Sequence, residues 1–458
     1  MVLIVSPLDY RYGRDKVKEI FTEAYRVRSM LEVEAASSIA LAAHGKIPPE
    51  ASTDIVRACK GNHVQLQRIK ELEKETQHDI MALTLAISEQ VNAGKPYVHF
   101  GLTSNDVNDT ALSLQIKAFS RIMAEDLLLV MTELEDLIGK YAGTVMLGRT
   151  HGQHASPITF GLKMAVFLGE FTRHAERFLD AMPRVLVGKM LGPVGTGATI
   201  GADALAIQEE FVRNLGLGSE MNPSQVTGRD RLIEYLSVIN NISVSTEKLT
   251  TEIRNLQRPE IGEVSEYFET ERQVGSSSMP SKMNPINSEN ITSLSRLIRS
   301  FIIPQYEGSI MWHERDLTNS ALERFTIPYS SILVDYVLAR LRDVLSGLIV
   351  NEQRMEKNLS SSYLSMSESL VLMLVNRGIP RLEAHELVRK ASVSTSKKSE
   401  FVASLVKSAS GHGVTEKDVE TSLDASSFLG ATAIICERTV KASVKLRMRL
   451  SEYVGRKN

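Results

Sequence analysis

Most of the chain alternates stretches of helical hydrophobic periodicity with short polar breaks. Leu112, Ile116 and Phe119 follow one another at steps of four and three residues, a spacing that places side chains on one face of a helix. The same periodicity predicts helices over residues 25–48, 65–91, 107–138, 157–182, 234–257, 287–306 and 330–350. Strand-like alternation is scarce between them, so we predict an all-α fold.

The middle of the chain contains the longest predicted helices, which suggests an elongated helix bundle. Their apolar faces are wider than a single intramolecular seam needs, so we expect subunits to share the bundle in an oligomer. From about Asn351 shorter helical patterns alternate with polar breaks such as STSKKSE. We expect three domains: an N-terminal helical domain, a central bundle and a C-terminal helical domain, over residues 1–104, 105–352 and 353–458.

Length and composition narrow the class of protein. A chain of 458 residues is long enough for about two to four domains. The net charge of −2 argues against a general nucleic-acid-binding surface, and no apolar run is long enough to cross a membrane. The start of the chain does not resemble a signal peptide. Two cysteines, Cys59 and Cys436, form no disulfide framework, so we expect a cytoplasmic protein.

Polar breaks between the predicted helices hold the residue types that carry out chemistry. One of them, GSSSMPSKMNP over residues 275–285, has four serines, two prolines and a lysine; we call it the serine loop. Its composition suits either a hinge or a mobile loop that closes over an anionic substrate. The other breaks are TQHD (76–79), GLTSND (101–106), GRTHGQHA (148–155) and WHERDLTNSALER (312–324).

Three familiar site types fit these segments poorly. His151 and His154 are three residues apart, but no carboxylate or thiol lies at a matching spacing, so we expect no metal site. GSSSM is not the G-x-S-x-G turn of a serine hydrolase. The glycines of residues 188–202 match neither nucleotide-binding glycine pattern. A general acid–base site fits better, with His151 as the proton donor and Arg315, Ser320 and Arg324 as an anion anchor.

The serine loop resembles the signature G-S-S-x-M-P-x-K-x-N-P of the fumarase/aspartase superfamily. Within it, four segments are similar to the adenylosuccinate lyases: TVMLGRTHGQHASPITFG, ELEKETQHDIMALT, VHFGLTSNDVNDTAL and WHERDLTNSALER. The resemblance extends from SPLDYRYG near the N-terminus to about residue 390. Argininosuccinate lyase and fumarase share the loop but lack the WHERD…S…ER segment and the THGQHA form of the histidine motif.

The resemblance implies an all-α, three-domain subunit in a homotetramer, with active sites built from three subunits. It also implies a reaction without a cofactor. Fumarate would be eliminated from two small-molecule nucleotides. Adenylosuccinate would give AMP, and the succinylaminoimidazole-carboxamide ribotide of purine synthesis would give AICAR.

The resemblance also implies the roles of individual residues. Ser276 matches the general base, His151 the general acid and Glu289 the carboxylate partner of that histidine. Lys282 matches the charged group that stabilises the carbanion, together with the neutral donors Thr103, Ser104, Ser277 and Asn284. Matching positions for the phosphate and ribose end are Arg11, Tyr12, Arg315, Ser320 and Arg324. Further substrate contacts are expected at Gln77, His78, Asp79, Gln225, Met283 and Asn290.

Two positions depart from relatives: Ser281, where many carry histidine, and Gly228, where some carry glutamine. Neither departure removes a residue with an expected catalytic role. Two alternatives stay open at this point. One is a sister enzyme of the superfamily, such as an argininosuccinate lyase or a cycloisomerase. The other is a structural relative without activity, against which Ser276, His151, Lys282 and Glu289 argue.

Overall fold

The computed structural model describes residues 5–269, 271, 273–395 and 397–455 of the chain. Helices joined by short connections make up most of this part of the chain, and the strands in it form pairs only. The prediction of an all-α fold is therefore confirmed. Three separate clusters of buried apolar side chains lie at its cores.

The first apolar cluster lies among the early helices. Its side chains include Ala40 and Leu83, and the start of the first long helix and residues 190–217 also contribute. The early helices that form it are α3 (Glu23–Ala43), α4 (Pro49–Lys60), α5 (Leu66–Thr76) and α6 (Asp79–Ser88). Before them, α1 (Pro7–Tyr10) and α2 (Asp15–Lys18) bury Leu8 and Val17 in the largest cluster. Short 3-10 helices cover Glu19–Phe21 and Lys95–Tyr97.

The largest cluster fills a bundle of long helices. Side chains such as Phe171, Ile239 and Leu338 are fully buried between them. The helices of this bundle are α7 (Ser104–Tyr141), α8 (Phe160–Val185), α10 (Asp230–Leu256), α11 (Ile286–Ser300), α12 (Ile302–Glu307) and α13 (Ser320–Ser346). Between α8 and α10 in the chain, α9 (Ala204–Leu215) packs in the first cluster. With 38 residues, α7 is about 57 Å long, so the bundle is elongated as predicted.

A third cluster around Leu374, Phe401 and Val419 lies among shorter helices near the C-terminus. These are α14 (Glu352–Ser360), α15 (Ser367–Asn376), α16 (Arg381–Ser394), α17 (Lys398–Ser408) and α18 (Glu416–Ser422), with 3-10 turns at Tyr363–Met366, Ser410–His412 and Ala425–Phe428. The last helix, α19 (Thr432–Gly455), returns to the bundle, because Cys436 and Leu450 are buried in the large cluster.

The strands are few but one pair matters for the site. Strands β1 (Val145–Thr150) and β2 (Gln153–Thr159) form an antiparallel hairpin between α7 and α8. The prediction of helix from residue 157 is wrong there, because residues 157–159 belong to β2. Shorter pairs join β3 (Val187–Gly188) to β4 (Gly218–Ser219) in parallel and β5 (Val264–Ser265) to β6 (Ile349–Val350) in antiparallel orientation.

Two predicted helices are in fact broken. The stretch 65–91 divides into α5 and α6, because Gln77 adopts a left-handed conformation with φ of 54°. The stretch 287–306 divides into α11 and α12 at Phe301. In the opposite direction, α13 begins ten residues before its predicted start and contains Pro328. In the part of the chain that the structure covers, no helix has the length and apolar character to cross a membrane.

Candidate active site

A cleft of about 560 Å³ lies where the early helices meet the ends of the long ones. Segments that are far apart in the sequence contribute to it, from α3, the α5–α6 junction, the start of α7 and the start of α13. The predicted site residues that line it are Gln77, His78, Asp79, Ser104, Arg315, Ser320 and Arg324. The structure therefore brings together seven residues that sequence motifs had singled out separately.

The α5–α6 junction fixes His78 and Asp79 at the wall of the cleft. The Nδ1 of His78 accepts the backbone N–H of Met81 at 3.2 Å and so caps the start of α6. Because Nδ1 is an acceptor in this contact, the ring proton of His78 resides on Nε2, which is left as a donor. Asp79 accepts from the N–H of Ile80 at 2.8 Å and from Arg26 Nη2 at 3.3 Å. Asp79 is thus both a cleft residue and half of an ion pair.

The start of α7 carries Thr103 and Ser104, held by a buried carboxylate. Asp106 accepts the N–H of Thr103 at 2.8 Å, as part of a capping box at the start of α7. Asp106 also pairs with Lys189, and both side chains are fully buried. Burial raises the pKa of Asp106 above its ordinary value, although Lys189 opposes that shift. The hydroxyl-bearing turn therefore rests on an anchored carboxylate.

The arginines at the far wall are arranged for an anion. Arg315 Nη1 donates to Gln225 Oε1 at 2.8 Å, which places the predicted contact Gln225 next to the cleft. The Nε of Arg315 is buried and has no partner among the described residues. Ser320 and Arg324 are four residues apart on α13, so they share one face of that helix.

Four of the cleft residues that were not predicted are polar residues held by hydrogen bonds: Arg26, Asn108, Asp109 and Arg229. Arg26 and Asn108 contact each other at 2.8 Å. Burial lowers the pKa of Arg26, and the nearby charge of Arg324 lowers it further. Arg229 donates twice to Asp109, over 2.7 and 2.9 Å, and is neutralised there. Asp109 lies inside the VNDTAL motif and could have been found from it, whereas nothing in the sequence distinguishes Arg26 from other helix-surface arginines.

Arg11 and Tyr12 lie away from the lining of the cleft, against the middle of α13. The Tyr12 ring meets the edge of Tyr336 with 5.7 Å between ring centres. Arg11 Nε donates to the Tyr12 hydroxyl at 3.3 Å. Tyr336 is twelve residues beyond Arg324 on the same helix, which corresponds to about 18 Å. In a single chain the two predicted sets of phosphate-binding residues are therefore far apart.

The serine loop closes on itself. Ser276 Oγ accepts the backbone N–H groups of Ser278 at 3.3 Å and Met279 at 3.1 Å. Asn284 Nδ2 donates to the Gly275 carbonyl at 2.9 Å. A Cβ at Gly275 would lie 2.0 Å from the Lys282 carbonyl oxygen, so only glycine permits this closure. The Lys282 side chain is exposed to solvent.

The first turn of α11 follows the loop and carries Glu289 and Asn290. Gln257, just after α10, donates to the Met283 carbonyl at 3.3 Å and braces the end of the loop. Arg229, just before α10, lines the cleft, and α10 has 27 residues, about 40 Å. The serine loop and the cleft therefore lie at opposite ends of α10 within one chain.

His151 occupies the tip of the β1–β2 hairpin. His151 and Gly152 have φ of 53° and 73°, the left-handed pair that a tight two-residue hairpin turn requires. The His151 side chain is exposed, and His154 Nδ1 contacts Ser362 Oγ at 2.7 Å. The hairpin follows the C-terminal end of α7, whereas Ser104 begins α7. His151 is thus at the opposite end of α7 from the cleft.

Among the described residues, no three His, Cys, Asp or Glu side chains lie together where they could hold a metal ion. The arrangement instead offers fixed N–H and O–H donors, guanidinium groups and one exposed imidazole. Such groups suit the binding of carboxylates and phosphates and the movement of protons.

Comparisons with known proteins show which family the chain resembles. A family model described as Lyase matches residues 9–299, and one described as Adenylosuccinate lyase C-terminus matches residues 364–439. The chain is 40% identical over 450 residues to an adenylosuccinate lyase of Pyrococcus horikoshii, covering 98% of this chain and 100% of the relative. It is 38% identical over 448 residues to that of Methanothermobacter thermautotrophicus, covering 97% and 100%.

Solved structures of similar fold come from the same wider group. A fumarate lyase from Mesorhizobium superposes with a TM-score of 0.84 at 28% identity, covering 94% of this chain and 98% of that chain. A 3-carboxy-cis,cis-muconate lactonizing enzyme from Pseudomonas putida gives 0.85 at 28% identity, covering 96% and 100%. The resemblance drawn from the sequence motifs is confirmed.

Proposed function

The chain belongs to the adenylosuccinate lyase family and is a carbon–nitrogen lyase, and we propose how its residues carry out that reaction. Its substrates are adenylosuccinate, which yields AMP, and the succinylaminoimidazole-carboxamide ribotide, which yields AICAR. Both reactions release fumarate and serve purine nucleotide synthesis, which we place in the cytoplasm. The cleft that unites His78, Ser104, Arg315 and Arg324 is the observation that carries the proposal.

The active sites are shared between subunits of a homotetramer. In one chain the proposed site residues form three separate groups: the cleft, the serine loop with Arg11 and Tyr12, and the His151 hairpin tip. The lengths of α7 and α10 separate the cleft from the other two groups by tens of ångströms, too far for one substrate to touch all three. Three subunits, each contributing a different group, would complete one site.

Exposed apolar side chains on the long helices support the shared bundle. Val166 on α8, Val244 on α10 and Leu297 on α11 are 52%, 49% and 46% exposed. Apolar residues at such positions of a bundle are commonly covered by further helices. Helices from other copies of the chain would cover them in a tetramer.

Ser276 is the general base. It removes the proton from the carbon that lies next to one carboxylate of the succinyl group. A hydroxyl is a poor base unless its alkoxide is stabilised. The N–H groups of Ser278 and Met279 already donate to Ser276 Oγ, so two donors are aimed at the atom where negative charge resides.

Removal of that proton leaves a carbanion whose charge spreads into the adjacent carboxylate. Lys282 supplies a positive charge to those oxygens. Neutral donors from the loop and from the cleft of another subunit complete the cradle: Ser277, Asn284, Thr103 and Ser104. Donors held in place before the reaction stabilise the developing charge without reorganising, which lowers the barrier.

His151 is the general acid. The carbon–nitrogen bond breaks as the double bond of fumarate forms, and His151 protonates the departing nitrogen. Its place at an exposed hairpin tip allows it to enter a site on a neighbouring subunit. Glu289, in the first turn of α11 of another subunit, is its carboxylate partner and would favour the protonated imidazole.

The nucleotide end is held by two groups. Arg11 and Tyr12 come from one subunit, and Arg315, Ser320 and Arg324 come from the cleft of another. The planar guanidinium binds two phosphate oxygens at once, which explains the use of arginine rather than lysine. Further contacts come from Gln77, His78, Asp79, Gln225, Met283 and Asn290.

We also propose the division into domains over residues 1–104, 105–352 and 353–458. The three apolar clusters support three folding units, although residues 190–217 pack in the first cluster and α19 packs in the large one. Side chains of α7 up to Leu114 contribute to the first cluster, so the first boundary is a site of close packing rather than a free linker.

Fumarate release from adenylosuccinate, the ribotide and argininosuccinate, measured side by side, tests the proposed substrates. We expect turnover of the two purine substrates only. Activity on argininosuccinate alone would assign the chain to the sister enzyme, and a purified tetramer without activity on any of the three would favour a structural role.

A further inference from the structure

A continuous series of contacts joins the proposed phosphate contact Tyr12 to the end of the serine loop within the same chain. It begins where the Tyr12 ring packs on the edge of Tyr336, at 5.7 Å between ring centres. Arg14 fixes this part of the chain in place, because its Nε donates to Asp335 Oδ2 at 2.9 Å, one residue before Tyr336. Tyr12 therefore packs against a part of α13 to which Arg14, two residues further along, is also bound.

Arg340 is the next member. It lies one turn beyond Tyr336 on α13, and its Nη1 donates to the Tyr336 hydroxyl at 2.7 Å. Its Nη2 donates to Asn287 Oδ1, in the first turn of α11. One guanidinium thus bridges the ring beneath Tyr12 and the helix that follows the serine loop. The remaining Nε is buried and has no partner among the described residues.

Asn287 connects to the end of the loop through a buried carboxylate. Glu266 accepts the N–H of Asn287 at 3.2 Å and that of Ser288 at 2.6 Å. It thus provides an acceptor for two N–H groups in the first turn of α11, which have no partner within the helix. Gln257 joins the Glu266 N–H, at 2.9 Å, to the Met283 carbonyl, at 3.3 Å. The position of Asn287 therefore affects the backbone that carries Asn284 and Lys282.

We propose that Arg340 is a positioning residue that couples phosphate binding at Arg11 and Tyr12 to the placement of the serine loop. The proposal rests on the proposed function, which assigns those two groups to the phosphate and to the base. Phosphate bound to Arg11 and Tyr12 favours one position of the Tyr12 ring. Through Tyr336, Arg340 and Asn287 that position favours the loop arrangement in which Ser276 and Lys282 act. Binding energy at a non-reacting end of the substrate then raises kcat, not only affinity.

The test separates the phosphate from the rest of the substrate. The wild-type enzyme is assayed for fumarate release from the nucleoside form of adenylosuccinate, which lacks the phosphate, with and without inorganic phosphate. We expect inorganic phosphate to raise kcat on the nucleoside by about tenfold, the order that one hydrogen bond to a charged group supports. Arg11→Met should abolish this stimulation, since it removes the phosphate contact.

Two variants interrupt the series without touching the substrate. Tyr336→Phe keeps the ring under Tyr12 but removes the hydroxyl that accepts from Arg340. Arg340→Lys keeps the charge but cannot bridge two oxygens at once. In both we expect the stimulation by phosphate to fall below about twofold, while the rate on the nucleoside alone stays at the wild-type value. Arg342→Gln is the matched control on α13, because Arg342 pairs with its exposed neighbour Asp343, and it should keep the full stimulation.

Stimulation of the wild type that persists unchanged in both variants would overturn the coupling, and so would a wild type that phosphate does not stimulate. Turnover of intact adenylosuccinate by the wild type is measured in parallel. Its absence would overturn the proposed function itself, whereas its presence without stimulation by phosphate would overturn only the coupling.

Discussion

Arg14 Nε donates to Asp335 Oδ2 over 2.9 Å and ties the N-terminal segment to the middle of α13. The same guanidinium reaches Asp126 on α7 with Nη2, at 2.5 Å. Both carboxylates are almost fully buried, with side-chain exposures of 0% and 2%. A single arginine therefore neutralises only one of two buried acids that lie beneath Arg11 and Tyr12.

Because two buried carboxylates share one arginine, we expect the stability of the folded protein to depend on pH. Burial, with the charge of Asp335, raises the pKa of Asp126 to about 7. The folded protein thus holds this proton more tightly than the unfolded chain, where the pKa is about 3.9. The stabilisation of the folded protein by this bound proton is fully present below pH about 4 and is lost as the pH rises through about 7.

The variant Asp126→Asn should remove that dependence. The Tm of the variant minus that of the wild type should increase by roughly 2–8 °C between pH 5 and pH 8. The reason is that Asp126 ionises in the wild type over this range, whereas the amide of the variant cannot ionise. Thermal unfolding at several pH values measures this. A difference in Tm between the two proteins that is the same at every pH would contradict a proton held by this pair.

Gly275 should tolerate no side chain. In Gly275→Ala the added Cβ would meet the Lys282 carbonyl at 2.0 Å, so the closed serine loop cannot form as it stands. We expect kcat to fall by at least about a hundredfold while Tm changes by less than about 2 °C, because an exposed loop contributes little to the core. Gly411→Ala, where an added Cβ meets nothing within 4 Å, is the control. Near-normal turnover of Gly275→Ala would show that the closed loop is unnecessary.

Replacing the base should stop chemistry and spare binding. Ser276→Ala removes the oxygen that accepts from the N–H groups of Ser278 and Met279. We expect turnover to fall by at least about a thousandfold with the substrate Kd within about threefold of the wild type. Ser278→Ala keeps its backbone N–H and should retain most of the activity. Single-turnover fumarate release and equilibrium binding make the comparison, and substantial turnover by Ser276→Ala would remove Ser276 from the role of base.

Much of the fold was predictable because long helices impose their period on the sequence. The run from Val107 to Ile138 was recognised as one helix, and the structure extends it only to Ser104 and Tyr141. Other boundaries depended on features that periodicity cannot report. The left-handed backbone of Gln77 ends α5 and separates it from α6. Pro328 lies inside α13, and because proline usually ends a helix, the residues before it were not predicted as helical.

Motifs in the sequence predict the site residues but not how the fold arranges them. Motifs identified His78, Ser104 and Arg324 as binding residues, and the structure places these three in one cleft. The His151 hairpin was missed, because a two-residue turn between short strands leaves only a weak periodic signal among long helices. Arg26 was missed because a half-buried arginine on a helix cannot be told from a solvated one by sequence until its partners are known.

The sharing of sites between subunits is the central claim, and mixing two inactive variants tests it most directly. His151→Ala and Ser276→Ala subunits are purified separately, mixed under conditions where exchange of subunits is demonstrated, and assayed for fumarate release from adenylosuccinate. If His151 and Ser276 reach each site from different subunits, about a quarter of the sites in random hybrids hold both residues and activity returns to that extent. If exchange is complete and no activity returns, both residues come from one subunit, and the account is contradicted.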